Sequence, residues 1–299
     1  MKKSVSLLLA GLMLCGALAG CGGNNNTAEN TDSQTEQTSE STGTSGAIHV
    51  VSREDGSGTR GAFVELTGVE DDNGDNTTVD AEIANRTDAV LTTVAGNEAA
   101  IGYVSLGSLN DTVKAVTVDG VEATVDNVKS GTYTLSRPFN IATKGEPTGV
   151  AKDFINFILS ADGQAIVEEE NYIKVDDAAP AFTSDGSSGQ IAVGGSSSVS
   201  PVMEKLIEAY EAVNPNAQIE LQTSDSTSGM TGAMDGTFAI GMASRELKDE
   251  EAAQLTGTAI ALDGIAVIVN TANTVENLTM DQIRSIYVGE TTDWSEVAE

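Results

Sequence analysis

Of 299 residues only two are cysteine, Cys15 and Cys21, and only one is histidine, His49. Beyond Cys21 there is no thiol, which excludes a disulfide framework, a thiol redox centre and a cysteine-built zinc site. The lone imidazole lies in the apolar run Ile48 to Val51, where a strand residue is expected, and no Gly-x-Ser-x-Gly elbow surrounds the serines of interest. A serine hydrolase needs a base beside its nucleophile, so that class is excluded too. Cations are scarce as well: 15 Lys and Arg stand against 45 Asp and Glu, a formal charge of −30. Nucleic acid and anionic lipid are therefore poor partners. A small anion is not excluded, because charges are screened over about 8 Å at physiological salt and local donors outweigh distant carboxylates. So many acids are expected on solvated faces, as at Asp71-Asp72 and Glu168-Glu169-Glu170. The run Asp71 to Asp75 lacks the Glu spacing of a calcium loop and reads as a turn. No metal and no cofactor is implied.

What the chain does have begins with an export signal. Lys2 and Lys3 precede a mostly apolar stretch, Val5 to Leu18, too short for a membrane span. Leu18-Ala19-Gly20-Cys21 resembles the lipobox of bacterial lipoproteins, which implies that residues 1–20 are removed and that Cys21 carries lipid such as palmitate. Residues 21–46 are nearly devoid of apolar side chains and cannot bury enough surface to offset chain entropy, so a disordered tether is expected. The remaining roughly 250 residues suffice for one large or two modest domains. They are placed outside the cytoplasm, on the outer face of the cell membrane, and touch it only through the lipid anchor.

In Ser52-Arg53-Glu54-Asp55-Gly56-Ser57-Gly58-Thr59-Arg60-Gly61, arginines, hydroxyls and glycines lie between an apolar run and an apparent helix start. Unpaired N–H groups and the macrodipole make such a helix start an oxyanion receptor, and a guanidinium fork pairs with two oxygens. The arrangement recurs at Ile191 to Pro201, where Ser200 is the expected N-cap and Pro201 the first helical residue, and at Ile219 to Asp235. Three such units suggest one small anion held from several sides. A Walker-type loop is rejected because Gly58-Thr59-Arg60 lacks its lysine. Strands are expected at Ala100 to Leu106, Val113 to Val118 and Ala259 to Val269. Helices are expected at Val150 to Leu159 and Ala161 to Glu170. Alternating strands and helices indicate an α/β architecture, and Asp176 to Gln190 reads as an internal linker.

With these residues in place, the chain resembles the phosphate-binding lipoproteins of bacterial phosphate ABC transporters. The resemblance is carried by Ser52 to Arg60, Gly195 to Pro201, Ser224 to Gly229, Ile240 to Leu247 and Ser136 to Asn140. It implies a two-lobe type II periplasmic-binding-protein fold with a hinge and an interlobe ligand cleft. Phosphate contacts are implied from Ser197, Ser198 and Ser226 in one lobe. Arg53, Ser57, Gly58 and Thr59 are implied in the other, with Asp55 supporting Arg53 and with Arg60, Asp225 and Arg245 as further candidates. Some members place an aspartate where Arg245 stands, and Ala239 replaces a common acid; Asp225 is then the candidate proton acceptor. In the family the Ile191–Glu299 portion comes first, so the halves here are in permuted order, as in a circular permutation. One lobe is expected from residues 48–139 with 263–299 and the other from 140–262, with the linker 176–190 inside the latter. The implied function is that of a non-enzymatic, monomeric receptor delivering inorganic phosphate to an ABC permease. A sulfate or molybdate receptor and a surface phosphate sensor without transport are the alternatives.

Overall fold

A computed structural model describes residues 44–297, so the export signal, Cys21 and nearly all of the tether lie outside the described residues. β1 (His49–Arg53) runs into α1 (Gly58–Thr67), followed by the hairpin of β2 (Glu70–Asp71) and β3 (Gly74–Asp75). β4 (Glu82–Ala84) leads into α2 (Thr87–Gly96), then β5 (Ala100–Ser105), β6 (Val113–Ala115), β7 (Thr117–Val118) and α3 (Val125–Lys129). β8 (Ser136–Thr143), α4 (Gly149–Ile158) and α5 (Ala161–Glu169) complete the first half. In the second, β9 (Gly189–Ser196) feeds α6 (Ser200–Val213) and β10 (Ala217–Ser224) feeds α7 (Ser226–Asp235). β11 (Ile240–Ala243), α8 (Asp249–Ala252), β12 (Thr256–Asn270), β13 (Asn277–Leu278) and α9 (Met280–Tyr287) follow.

Local chemistry sets many of these boundaries. The Ser57 side chain caps α1, and Gly68 ends it in the left-handed conformation that glycine adopts without steric cost. Thr279 and Gln282 form a reciprocal capping box on α9. Phe154, Phe157 and Ile158 face the core from α4. Two expectations need correction. Val199, not Ser200, is the N-cap of α6, and the Ser200 hydroxyl instead donates to the Ser196 carbonyl at 3.2 Å. The strand expected over Val113 to Val118 is broken at Val116, whose N–H turns to the Val267 carbonyl, 3.0 Å away. The run at Asp71 is indeed a turn, closed by the Asn73 N–H on the Asp71 carboxylate at 2.7 Å.

The main sheet runs β10-β9-β11-β8-β12-β5-β1-β4, with β6 also on β12. Its two ends are parallel and its middle, β11-β8-β12-β5, is antiparallel. β12 joins two cores. Its first part, Thr256–Gly264, pairs with β8, and Ile265–Val269 pairs with β5. One core gathers Phe63, Ile101, Tyr103, Leu135, Ile265 and Trp294; the other gathers Phe139, Ile141, Phe154, Leu206, Ile240 and Ile260. These are the two lobes. Phe139 thus packs in the lobe opposite to the expected one. Ile173, bridged to Leu262, packs in the first core although it lies within 140–262.

The two halves of the sequence close within one molecule. Near the start of the described chain, the Ile48 N–H donates to the Thr292 carbonyl at 2.8 Å, and the Trp294 N–H donates to the Gly46 carbonyl at 3.0 Å. The segment 176–188 forms no helix or strand, and β9 takes up the last two residues of the expected linker. Buried Asp153 on α4 pins this segment. It accepts from Ser184 Oγ at 2.7 Å, the Asp185 N–H at 3.0 Å and, from α6, Tyr210 Oη at 2.9 Å.

Candidate functional site

Four strand-to-helix turns converge between the lobes: β1–α1 and β4–α2 from one, β9–α6 and β10–α7 from the other. The first, third and fourth are those singled out in the sequence. Buried Arg53 lies at the end of β1, and its guanidinium makes a fork with Glu54, Nε to Oε2 at 2.8 Å and Nη2 to Oε1 at 2.7 Å. The same guanidinium crosses to the other half of the chain, Nη2 donating to Ser197 Oγ at 3.1 Å, and Nη1 donates to Thr87 Oγ1 at 3.3 Å. Thr59 Oγ1 lies 2.8 Å from Ser198 Oγ, and Ser198 Oγ lies 3.1 Å from Thr87 Oγ1.

Each of these hydroxyls carries one proton, so an N–H that donates to its oxygen leaves that proton pointing elsewhere. Ser57 accepts from the Arg60 N–H at 3.3 Å and Ser226 from the Ser244 N–H at 3.1 Å. Ser197 accepts from the Thr87 N–H at 3.3 Å as well as from Arg53. Thr59 accepts from Arg137 Nη2 at 3.1 Å. These hydroxyls are all buried and are left to act as donors. Hydroxyl and N–H donors gathered around guanidinium groups, away from water, can desolvate and hold a small oxyanion. A cavity of about 290 Å³, lined in part by Thr87, Ser108, Ser197, Ser200 and Thr223, opens beside the cluster.

Glycine is required where the loops meet. A Cβ on Gly58 would sit 2.4 Å from Ser226 Oγ and 2.8 Å from Ser244 Oγ. Gly195, at φ +138°, brings β9 so close to β11 that a Cβ would lie 2.3 Å from the Met242 carbonyl oxygen.

The remaining candidates spend their charged groups on other partners. Asp55 does not support Arg53. Glu54 does, while exposed Asp55 pairs with Arg60 Nη1 at 2.8 Å. Arg60 is held away by Asp75 Oδ2 at 2.7 Å and by the Arg53 carbonyl at 2.8 Å. Asp225 caps α7, taking the Ser228 N–H at 2.8 Å and the Ser228 hydroxyl, so its carboxylate is occupied by its own helix. Arg245 forks onto Glu251, Nη1 to Oε2 at 2.7 Å and Nη2 to Oε1 at 2.8 Å. Burial of Glu251 opposes ionisation, but the bonds from Arg245 and the Lys248 N–H prevail and hold its carboxyl below the usual range.

Three residues of the cluster were not picked out in the sequence. Ser244 and Arg137 stand inside stretches that carry the resemblance, yet nothing in their own composition marks them. Thr87 begins α2 after Asn85-Arg86, without the glycine and serine signature of the other loops. Its signal is only a hydroxyl at a helix start before Val90 and Val94, which α2 buries. Among the described residues no cluster of three or more acidic, His or Cys side chains is placed to hold a metal, and no helix is long and apolar enough to cross a membrane.

Comparison with known proteins agrees with this architecture. The PBP superfamily domain matches residues 17–162 and 180–299. The phosphate-binding protein PstS 2 of Streptococcus agalactiae serotype V is 48% identical over 99% of both chains, and that of Streptococcus pneumoniae serotype 4 is 43% identical over 99% of both. These alignments run end to end, so the order of the halves in this chain is theirs too. A crystal structure of a phosphate ABC transporter's phosphate-binding protein from Streptococcus pneumoniae superposes with a TM-score of 0.69 at 46% identity. It covers 84% of this chain and 100% of its own. The chain belongs to the PBP superfamily and, within it, to the family of the PstS phosphate-binding proteins.

Proposed function

We propose that the protein is an extracytoplasmic receptor that captures inorganic phosphate between its two lobes and hands it to an ABC permease. The observation that carries this reading is the interlobe cluster in which Arg53 meets Ser197 and Thr59 meets Ser198. Phosphate placed there takes hydrogen bonds from Arg53, Ser57, Thr59, Ser197, Ser198 and Ser226 and from backbone N–H groups at Gly58 and the other helix starts. β8 and β12, the strands shared by both lobes, act as the hinge. Closing the lobes excludes water, which strengthens these bonds. The contact of residues 46–48 with 292–294 supports a circular permutation that leaves the closed fold intact.

The carboxylates nearest the cluster are engaged, Glu54 with Arg53, Asp263 with Arg137 and Asp225 with Ser228. A ligand with few protons and many accepting oxygens is therefore favoured, and phosphate binding strengthens from about pH 6 to about pH 8 as dihydrogen phosphate gives up one of its two protons. Calorimetric titration of the folded domain with phosphate and with sulfate across that range tests the reading. Heat from sulfate alone would make the protein a receptor for another oxyanion. Loss of phosphate uptake on deletion separates transport from sensing. The anchor is assigned to Cys21, and labelling with radioactive palmitate that disappears in Cys21→Ala tests it.

A further inference from the structure

Arg137 and Asp263 lie directly opposite each other in the antiparallel ladder between β8 and β12. Their ion pair is buried, Arg137 4% and Asp263 0% exposed. The pair sits where the two strands pass from one core to the other, with Leu135 and Ile265 on one side and Phe139 and Ala261 on the other. The guanidinium is almost fully engaged. Nη1 donates to Asp263 and to the Gly264 carbonyl, the latter at 3.0 Å, and Nε donates to the Ser244 carbonyl at 3.2 Å. Nη2 reaches Thr59 Oγ1 at 3.1 Å. One side chain on the shared strands thus touches the β1–α1 turn of one lobe and the end of β11 in the other.

We propose that Arg137 is a positioning residue of the anion site. By donating to Thr59 Oγ1 it makes that oxygen an acceptor on its inner side, so the Thr59 proton is directed outward to the anion. Asp263 balances the Arg137 charge and keeps the guanidinium on the strands rather than on the ligand. The bonds to Thr59 and to the Ser244 carbonyl exist together only when both lobes converge on Arg137, so this side chain also favours the closed arrangement. The inference rests on the phosphate reading above, and the geometry assigns Arg137 to it through Thr59.

The test is a double-mutant cycle read as phosphate Kd by calorimetry on the folded domain, using wild type, Arg137→Met, Thr59→Ala and the double variant. Each single change is expected to weaken binding about tenfold. The double variant should be little weaker than the worse single variant, because both remove the same oriented donor. Arg137→Lys, which keeps the charge and one N–H toward Thr59, should recover part of the loss. A structural role alone would lower the thermal midpoint while leaving Kd in the folded fraction unchanged. Should Arg137→Met not fold, the cycle of Arg137→Lys with Thr59→Ala reads the part of this coupling that the ammonium does not restore, and no coupling at all there overturns the positioning role. Wild-type affinity in the Arg137 variants, or losses that multiply in the double variant while wild type binds phosphate, overturns the positioning role. A wild type that gives no heat with phosphate overturns the phosphate reading, and the positioning role with it.

Discussion

The hydroxyl of Thr59 lies 2.8 Å from that of Ser198, its partner 139 positions along the chain. That contact exists because β1–α1 and β9–α6, from opposite halves of the sequence, present their turns to the same space. Beside it, Gly58 leaves no room for a side chain between Thr59 and the other lobe. Gly58→Ala is expected to hold the loops apart by colliding with Ser226 and Ser244, both buried. The fold of each lobe should persist, with a nearly unchanged thermal midpoint, while phosphate affinity falls at least about tenfold, the scale of one lost charge-assisted contact. An unchanged affinity would show that the lobes do not approach this closely around the ligand.

Asp153 ties the segment 176–188 to α6. Replacing it with alanine strands the Tyr210 hydroxyl, which now donates to its carboxylate at 2.9 Å, and frees Ser184 Oγ and the Asp185 N–H, which reach it at 2.7 and 3.0 Å. Asp153→Ala should cost about 2–4 kcal/mol in denaturant unfolding, the range for breaking a buried polar network, while phosphate Kd stays near wild type. Selective proteolysis of the 176–188 segment in the variant, absent from wild type, would locate the loss.

Arg245 and Glu251 form a buried pair that takes up both Nη groups of the guanidinium. Arg245→Ala should destabilise by about 3 kcal/mol by leaving the Glu251 carboxylate without its partner, and should weaken phosphate far less than Arg53→Ala. The Glu251 carboxyl is held below its ordinary value of about 4.5. A depressed carboxyl contributes stability that is present above that ordinary value and is lost as pH falls through the folded one. The stability gap between wild type and Glu251→Gln is therefore constant near neutral pH and shrinks below about pH 4.5. Urea unfolding at several pH values measures it, and a gap that widens in acid would reverse the assignment.

Much of this site could be read from local chemistry. Ser57, Gly58, Thr59, Ser197, Ser198 and Ser226 stand at helix starts whose glycines and hydroxyls announce themselves within a few residues. What failed was pairing. Arg53 took Glu54 rather than Asp55 because β1 ends at Arg53 and the chain then turns, carrying Asp55 out to solvent beside Arg60. Arg245 was a candidate because of its place in a family-like stretch, and the acid that claims it stands six positions on in a short helix. Arg137 was invisible for a different reason: its partner, Asp263, lies 126 positions away, and only the register of β8 on β12 sets them opposite. The lobe boundary slipped at Phe139 for the same cause, since a strand that passes between two cores has no compositional break where it leaves one for the other, and at Ile173 because an isolated bridge to Leu262 draws it to the first core.

Thr87 offers the last prediction, because it reached the site without the glycine-rich signature of the other turns. Its hydroxyl lies 3.2 Å from Ser197 Oγ and 3.1 Å from Ser198 Oγ, and accepts from Arg53 Nη1 at 3.3 Å. Thr87→Val keeps the shape and the backbone N–H but leaves the Arg53 Nη1 and two serines without this partner. Phosphate affinity should fall by about five- to thirtyfold, the loss expected for one or two buried hydrogen bonds to a charged network. Thr87→Ser retains the hydroxyl and should stay within about threefold of wild type, because only a methyl group is lost. If serine weakens binding while valine leaves it at the wild-type level, the methyl packing rather than the hydroxyl is what Thr87 contributes, and β4–α2 does not take part in holding the anion.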